Sequence, residues 1–364
     1  MLAWVSMSDD KRAADDLRLE MAKLDAQVLA LVERRAKLAR EVGKLRGEGL
    51  VTLPAEARAS LAAVVARSSG DLPAESVRAI FQEIHTASLA LELGMTVAFV
   101  GTPGSSGHAA ARKRFGEATR LVACESAESA TQKVHAQKAS FAVVPFETKS
   151  DGLVQATLAA LVAAELKIVA TFEAATEVRL VSRTGNLAEV ERVFATPLER
   201  AVSKALLATA PRAQVIEVTS PQIACENAEN DPAAAALADE TFAASMQLVP
   251  CEGGPPLVAP EVDERVRYAV LGARPSGRTG ADATSVVFSV SDSPGALLEV
   301  LKQFAERGVN LTKIQSRPTV GEAWGYLFFV ELEGHATDRT VVSALEDVKR
   351  QTRLFKVLGS YAAG

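Results

Sequence analysis

The sequence predicts a multidomain protein in which an all-helical N-terminal domain is followed by α/β domains, and three observations carry that prediction. At 364 residues the chain is too long for one compact core. Across residues 17–45 apolar side chains recur at helical spacing, and further on two segments read as strand, glycine turn and helix. Leu93-Gly94 and the Pro/Ser/Gly/Thr-rich run over 275–281 read as breaks, which divides the chain into residues 1–94, 95–273 and 284–364.

In the first domain Leu17, Met21, Leu24, Val28, Leu31, Leu38, Val42 and Leu45 follow one another at steps of four and three, with Arg35 interrupting the stripe. A helix over residues 15–46 would be roughly 45 Å long. A domain this small cannot cover such a helix alone, so the stripe predicts packing against a second copy of the chain. A buried arginine must find an anion. Arg35 therefore points to a ligand, or else to an intersubunit ion pair or a snorkelling side chain. Arg18 and Arg46 lie four heptads apart on one side of the same seam, and these two further cations tip the reading toward a ligand.

The middle domain opens with an expected strand over 96–100, a glycine loop at Gly101 and Gly104, and a helix. A second strand is expected over 141–147, followed by Thr148 to Gly152, and a later one over 268–271 after Arg267. In the last domain a strand over 285–290 should enter the Gly295-Ala296-Leu297 turn. A helix to about residue 307 and a strand over 309–315 should follow. The glycine lets backbone N–H groups approach an anionic ligand at the helix N-terminus.

Composition excludes several classes. A formal charge of -5 with no dense run of Lys and Arg argues against a nucleic-acid partner. The opening MLAWVSMSDD lacks a charged n-region and a long apolar run, and no stretch approaches the roughly 20 apolar residues of a membrane span. A soluble, cytoplasmic protein is expected. Cys124, Cys225 and Cys251 are scattered, and His85, His108, His135 and His335 do not cluster near them, so neither structural zinc nor a disulfide framework is expected.

The C-terminal residues resemble the ACT regulatory domain found at the end of prephenate dehydratases, a βαββαβ fold. Its GAL motif is intact and its ESRP motif reads Gln315, Ser316, Arg317, Pro318. The match continues through Trp324, Tyr326, Phe328, Phe329, Glu331, Gly334 and His335 to a tail from Lys356 to Tyr361. The resemblance implies an L-phenylalanine effector held by Gly295, Ala296 and Leu297, with Asn310 and residues 315–318 closing over it. Gln315 in place of the family glutamate removes a charge but keeps an acceptor, so affinity falls while specificity is kept.

Residues 15–94 resemble the all-helical chorismate mutase domain fused to bacterial prephenate dehydratases, in the order LRxxxxxLD, ERRAxLAxxVGxLR, IFQEIHTASLALE. The resemblance assigns Arg18, Arg35 and Arg46 to chorismate's two carboxylates and ether oxygen, and Ser88 and Glu92 to the remaining polar contacts. Such a pericyclic rearrangement needs no nucleophile. It is accelerated by fixing the reactive conformer and stabilising charge on the ether oxygen. On the second helix the family's Pro-Glu-Arg-Glu element reads Pro54-Ala55-Glu56-Ala57-Arg58-Ala59. An ungapped count puts Arg58 at the family arginine, and anchoring on Pro54 puts Glu56 there. Both leave alanine at the glutamate that binds the substrate hydroxyl, a loss on the order of 1–3 kcal/mol.

The middle segment resembles the two-lobed α/β prephenate dehydratase fold, whose VVPIENSTEG element reads here from Val143 to Gly152. The resemblance places Glu147, Thr148, Ser150 and Arg267 in the cleft, with Arg267 as a carboxylate anchor. The family's Asn-Ser-Thr-Glu run is Thr148, Lys149, Ser150 and Asp151 here, its Ser-His-Pro-Gln turn is Ala195-Thr196-Pro197-Leu198, and the threonine that protonates the departing hydroxyl is Val266. Elimination needs an acid at that hydroxyl, and valine has no proton to give.

Two readings of the whole chain follow. One is a bifunctional enzyme of phenylalanine biosynthesis with a weakened mutase, a degenerate dehydratase and phenylalanine regulation. The other is a non-catalytic phenylalanine sensor on the same scaffold that associates with another enzyme. Either implies chorismate or prephenate and L-phenylalanine as ligands, a homodimer or larger homo-oligomer, and no cofactor or metal.

Overall fold

The computed structural model describes residues 2–46, 63–68, 70–148, 152–175, 179–196, 213–252, 265–318 and 326–363. They form two compact units, one helical and one running from Met95 onward. Residues 54–59, including Arg58, and also Lys149, Ser150, Asp151, Pro197, Leu198 and Trp324, lie outside the described residues.

The helical unit pairs α1 (Leu2–Arg46) with α2 (Ala74–Leu93). Helix α1 starts well upstream of residue 15, because residues 2–16 contain no glycine or proline and several strong helix formers. Helix α2 ends where Gly94 turns to φ 54 and returns its N–H to the Ala90 carbonyl. The two helices touch backbone to backbone at Gly43, where a Cβ would sit 2.2 Å from the Glu92 carbonyl oxygen. Every member of the apolar stripe is exposed within the single chain, from 43% at Val42 to 88% at Leu45.

Among the described residues the second unit contains three sheets. In the first, β1 (Thr96–Val100) lies parallel to β2 (Arg120–Cys124) and β3 (Phe141–Thr148). The short β4 (Gly152–Leu153) folds back on β3. Helices α3 (Ser106–Phe115), α4 (Ala127–His135) and α5 (Gln155–Ala163) accompany these strands. After β5 (Lys167–Ala175) the chain leaves to build a second lobe from β6 (Arg179–Ser182), β7 (Arg192–Ala195), β8 (Gln214–Glu217), β9 (Ala234–Ala238) and β10 (Val249–Pro250). This sheet, ordered β10-β6-β9-β7-β8, carries α6 (Pro221–Asn230) and α7 (Glu240–Ser245). The chain then returns as β11 (Arg265–Gly272), antiparallel between β3 and β5.

The third sheet, ordered β13-β14-β12-β15, comprises β12 (Asp282–Ser289), β13 (Leu311–Pro318), β14 (Tyr326–Glu333) and β15 (Leu354–Ala362). Helices α8 (Ala296–Glu306) and α9 (Arg339–Gln351) complete the βαββαβ order. Alternation along its strands buries both faces. Val286, Phe288, Val330 and Leu332 pack with Val300 and Phe304 of α8 and Val341, Ala344 and Val348 of α9. Val287, Leu327, Phe329, Leu358 and Tyr361 enter one continuous core with the first sheet, where the Phe329 and Phe146 rings meet at 5.5 Å. At this seam Gly359 lies directly on the Ile168 backbone, where a Cβ would fall 2.1 Å from its carbonyl oxygen. Lys167 donates to the Val357 carbonyl at 2.6 Å, and Lys356 donates to those of Val162 and Ala164.

Candidate functional sites

In the helical unit Arg35 reaches from α1 to α2, donating to the Ser88 hydroxyl and, at 3.0 Å, to the Ile84 carbonyl. Burial lowers its pKa and the negative charge of Glu92 opposes that fall. Arg35, Ser88 and Glu92 are thus brought together by the Gly43 contact and the one-turn spacing of 88 and 92. His85 belongs to the same neighbourhood, its pKa lowered by burial and then by the Arg35 charge. Sequence reading passed over it, although residues 85, 88 and 92 follow the i, i+3, i+7 rule of one helix face.

Arg18 stands apart from this group. It is exposed and paired with Asp15 at 2.9 Å, and the helical rise puts it roughly 25 Å along α1 from Arg35. Arg46 is the last residue of α1.

In the first sheet the pleat divides the residues that the sequence grouped together. Val266 pairs with Thr148 and Arg267 with Glu147, so the two pairs point to opposite faces. On the Val266 and Thr148 face lies Tyr268, stacked on Phe172 and hydrogen-bonded to Ser106 at the start of α3. Burial raises the Tyr268 pKa and the Ser106 bond opposes it. The glycine loop closes against the second lobe here: a Cβ on Gly104 would strike the Phe242 ring, and His108 sits between Phe99 and Phe242. This face offers a threonine, a serine and a tyrosine, with no carboxylate opposite Thr148, where the buried valine stands.

On the other face Arg267 forms a two-pronged ion pair with Glu331 of β14, both contacts at 2.8 Å, with Glu147 at 3.5 Å. Glu331 also accepts from Tyr361 at 2.6 Å, and Tyr361 meets Ser285. Lys313 of β13 holds Glu147 at 2.5 and 2.6 Å. Two cations thus meet two carboxylates, and the buried groups are satisfied. Burial alone would lower the Arg267 pKa, but the Glu331 bond and the surrounding charges outweigh it and raise it. Burial would raise Glu331, and the Arg267 bond and charge reverse that, holding it below the usual carboxylate value. Lys313 was not singled out from the sequence, and Glu331 and Tyr361 entered only as members of a matching string, because their partners lie far away along the chain.

In the last domain Gly295 caps α8 at φ 83, a left-handed conformation that the glycine makes possible. Ala296 and Leu297 open the helix half-buried, and Asn310 is exposed, its carbonyl accepting from Glu333 N–H. Along β13 burial alternates, with Lys313, Gln315 and Arg317 half-buried and Thr312, Ile314 and Ser316 exposed. Pro318 ends the strand.

Among the described residues no cluster of three or more His, Cys, Asp or Glu could hold a metal, and no helix is long and apolar enough to cross a membrane. Cys124, Cys225 and Cys251 are buried, and none of them forms a disulfide among the described residues.

A helical pair bridged by Arg35, a two-lobed α/β fold and a βαββαβ domain packed on that fold are the domain plan of multidomain proteins of aromatic amino-acid biosynthesis. Family models match in the same order: chorismate mutase type II over residues 17–93, prephenate dehydratase over 97–275 and the ACT domain over 284–350. The bifunctional chorismate mutase/prephenate dehydratase of Aquifex aeolicus is 33% identical over 353 residues, spanning 95% of this chain and 97% of that protein. Its counterpart in Neisseria gonorrhoeae is 30% identical, covering 93% of this chain and 94% of its own. The prephenate dehydratase of Arthrobacter aurescens, solved in complex with L-Phe, superposes with a TM-score of 0.63 at 33% identity, over 74% of this chain and 90% of that one. The chain belongs to the bifunctional chorismate mutase/prephenate dehydratase family.

Proposed function

We propose that the helical unit converts chorismate to prephenate at a weakened rate, that the middle domain has lost most of its dehydratase chemistry, and that the C-terminal domain binds L-phenylalanine. The observation that carries the mutase reading is the seating of Arg35 between Ser88, the Ile84 carbonyl and the field of Glu92. There a guanidinium is pre-oriented for a substrate carboxylate or the ether oxygen, so little reorganisation is needed as charge develops. Arg18, too far along α1 to serve the same pocket, is assigned to the pocket of a second copy. The uncovered stripe from Leu17 to Leu45 supports that pairing. Arg46 and Arg58 are assigned to the same dianion.

In the middle domain Thr148, which pairs with Val266, is assigned to the cleft, with Ser150 beside it. Val266 supplies no acid, so elimination from prephenate is slow. Glu147 and Arg267 are assigned to the seam with the C-terminal domain, where each already has an opposite charge.

The test is loss of chorismate with the full-length protein, compared with Arg35→Ala. A wild-type rate equal to the uncatalysed one at saturating chorismate refutes the mutase. The second reading, a phenylalanine sensor without catalysis, is favoured by Val266 and Thr148 and gains if chorismate is untouched while L-phenylalanine still binds.

A further inference from the structure

The face of β13 that carries Lys313, Gln315 and Arg317 is turned to the α/β domain, and all three reach the paired ends of β3 and β4. Lys313 holds the Glu147 carboxylate. Gln315 accepts the Leu153 N–H on Oε1 at 3.1 Å, while its Nε2 donates to Glu147 Oε1 at 3.4 Å. Arg317 donates to the Leu153 carbonyl at 3.2 Å. Both backbone groups of Leu153 are therefore satisfied from another domain. The approach is close because Gly152, at φ 71, has no side chain: a Cβ there would lie 3.0 Å from Gln315 Oε1 and 3.2 Å from Arg317 Nη2.

The same hairpin carries Thr148, paired with Gly152 on one side and with Val266 on the other. The amide of Gln315 fits this place in one orientation, oxygen toward an N–H and NH₂ toward a carboxylate. A glutamate could accept from Leu153 but would set a second negative charge against Glu147. The opposite side of β13, with Ile314 and Ser316, stays exposed.

We propose that Gln315, with Lys313 and Arg317, is a positioning residue for the β3–β4 hairpin and so for Thr148, rather than a direct contact to the effector. One strand then presents a hairpin-holding side and an exposed side, so that an amino acid bound beside β13 acts on the dehydratase-like face through Leu153. This last step rests on the reading that the C-terminal domain binds L-phenylalanine.

Hydrogen exchange of the full-length protein, read at the Leu153 amide, tests the proposal alongside calorimetry with L-phenylalanine. Gln315→Met keeps the volume and removes both hydrogen bonds, so Leu153 should exchange about fivefold faster while amides in α8 and α9 keep their rates. Gln315→Glu keeps the acceptor but sets a second negative charge against Glu147, so Leu153 should exchange at a rate between those of wild type and Gln315→Met. L-Phenylalanine should alter Leu153 exchange in wild type, and its affinity should be unchanged in Gln315→Met. Unchanged Leu153 exchange in Gln315→Met overturns the positioning role, as does a large loss of affinity with the hairpin undisturbed. Binding that leaves wild-type Leu153 exchange untouched overturns the coupling. If wild type gives no heat at all, it is the effector reading that fails, and the Leu153 comparison among variants still decides the role of Gln315.

Discussion

Replacing Arg267 by methionine separates two roles that the sequence alone cannot distinguish. The side chain is 20% exposed and its main partner Glu331 only 7%. Removing one member of a buried ion pair costs about 3–5 kcal/mol when the remaining charge has no other support. Here Glu331 keeps the Tyr361 bond and Glu147 keeps Lys313, which reduces the expected loss to about 2–3 kcal/mol. The assay is a double-mutant cycle of Arg267→Met and Glu331→Gln, read by urea unfolding of the α/β unit, with prephenate binding measured beside it. Its pH dependence has a definite sign. Glu331 sits below its ordinary value of 4.5 in the folded protein, so the stability it contributes is present above that value and is lost as pH falls through the lowered one. Coupling below about 0.5 kcal/mol, together with loss of prephenate binding in Arg267→Met, would refute the structural role and restore that of a substrate anchor.

Arg35→Ala should abolish chorismate turnover, whereas Gly43→Ala, which drives a methyl into the Glu92 carbonyl, should lower it by displacing α2. For His85 the folded pKa lies below 6.5, so its stabilising contribution is full above 6.5 and declines as pH falls through the lowered value. Thermal unfolding of wild type and His85→Leu should run parallel with pH above 6.5 and diverge as pH falls from 6.5 toward the lowered value. Prephenate should yield little phenylpyruvate at neutral pH, and Val266→Thr should raise the yield; robust wild-type turnover would show that another group supplies the proton. Gly295→Val forces a branched side chain into a left-handed φ and should abolish any heat with L-phenylalanine; unchanged heat would place the ligand elsewhere.

The order of three domains was legible because each announces itself by a periodicity or a motif. The stripe on α1, the strand into the Gly101 loop and the Gly295 turn all appear where spacing puts them. The tail from Lys356 to Tyr361, recognisable only as a matching string, acquires a physical reason: Lys356 binds carbonyls across the seam, Gly359 admits the Ile168 backbone and Tyr361 supports Glu331. The facing of side chains was not legible. Glu147 and Thr148 are neighbours in sequence and so share a motif, yet a pleated strand sends them to opposite faces. The bulge beside Arg267 and Tyr268 further shifts the register against β3. One signal was available: Lys313, Gln315 and Arg317 alternate along a strand and so share one polar face. The start of α1 was missed because the apolar stripe begins only at Leu17, although propensity carries the helix to Leu2.

The contact of Gly359 with Ile168 has a consequence for how this molecule can be taken apart. Where two backbones meet without side chains between them, the join behaves as a weld rather than a hinge. A chain cut in the 275–281 segment would leave Phe146 and its neighbours facing water on one fragment and Phe329 on the other, and both pieces would tend to aggregate. Grafting the C-terminal domain onto another enzyme would require carrying its counterpart surface along with it.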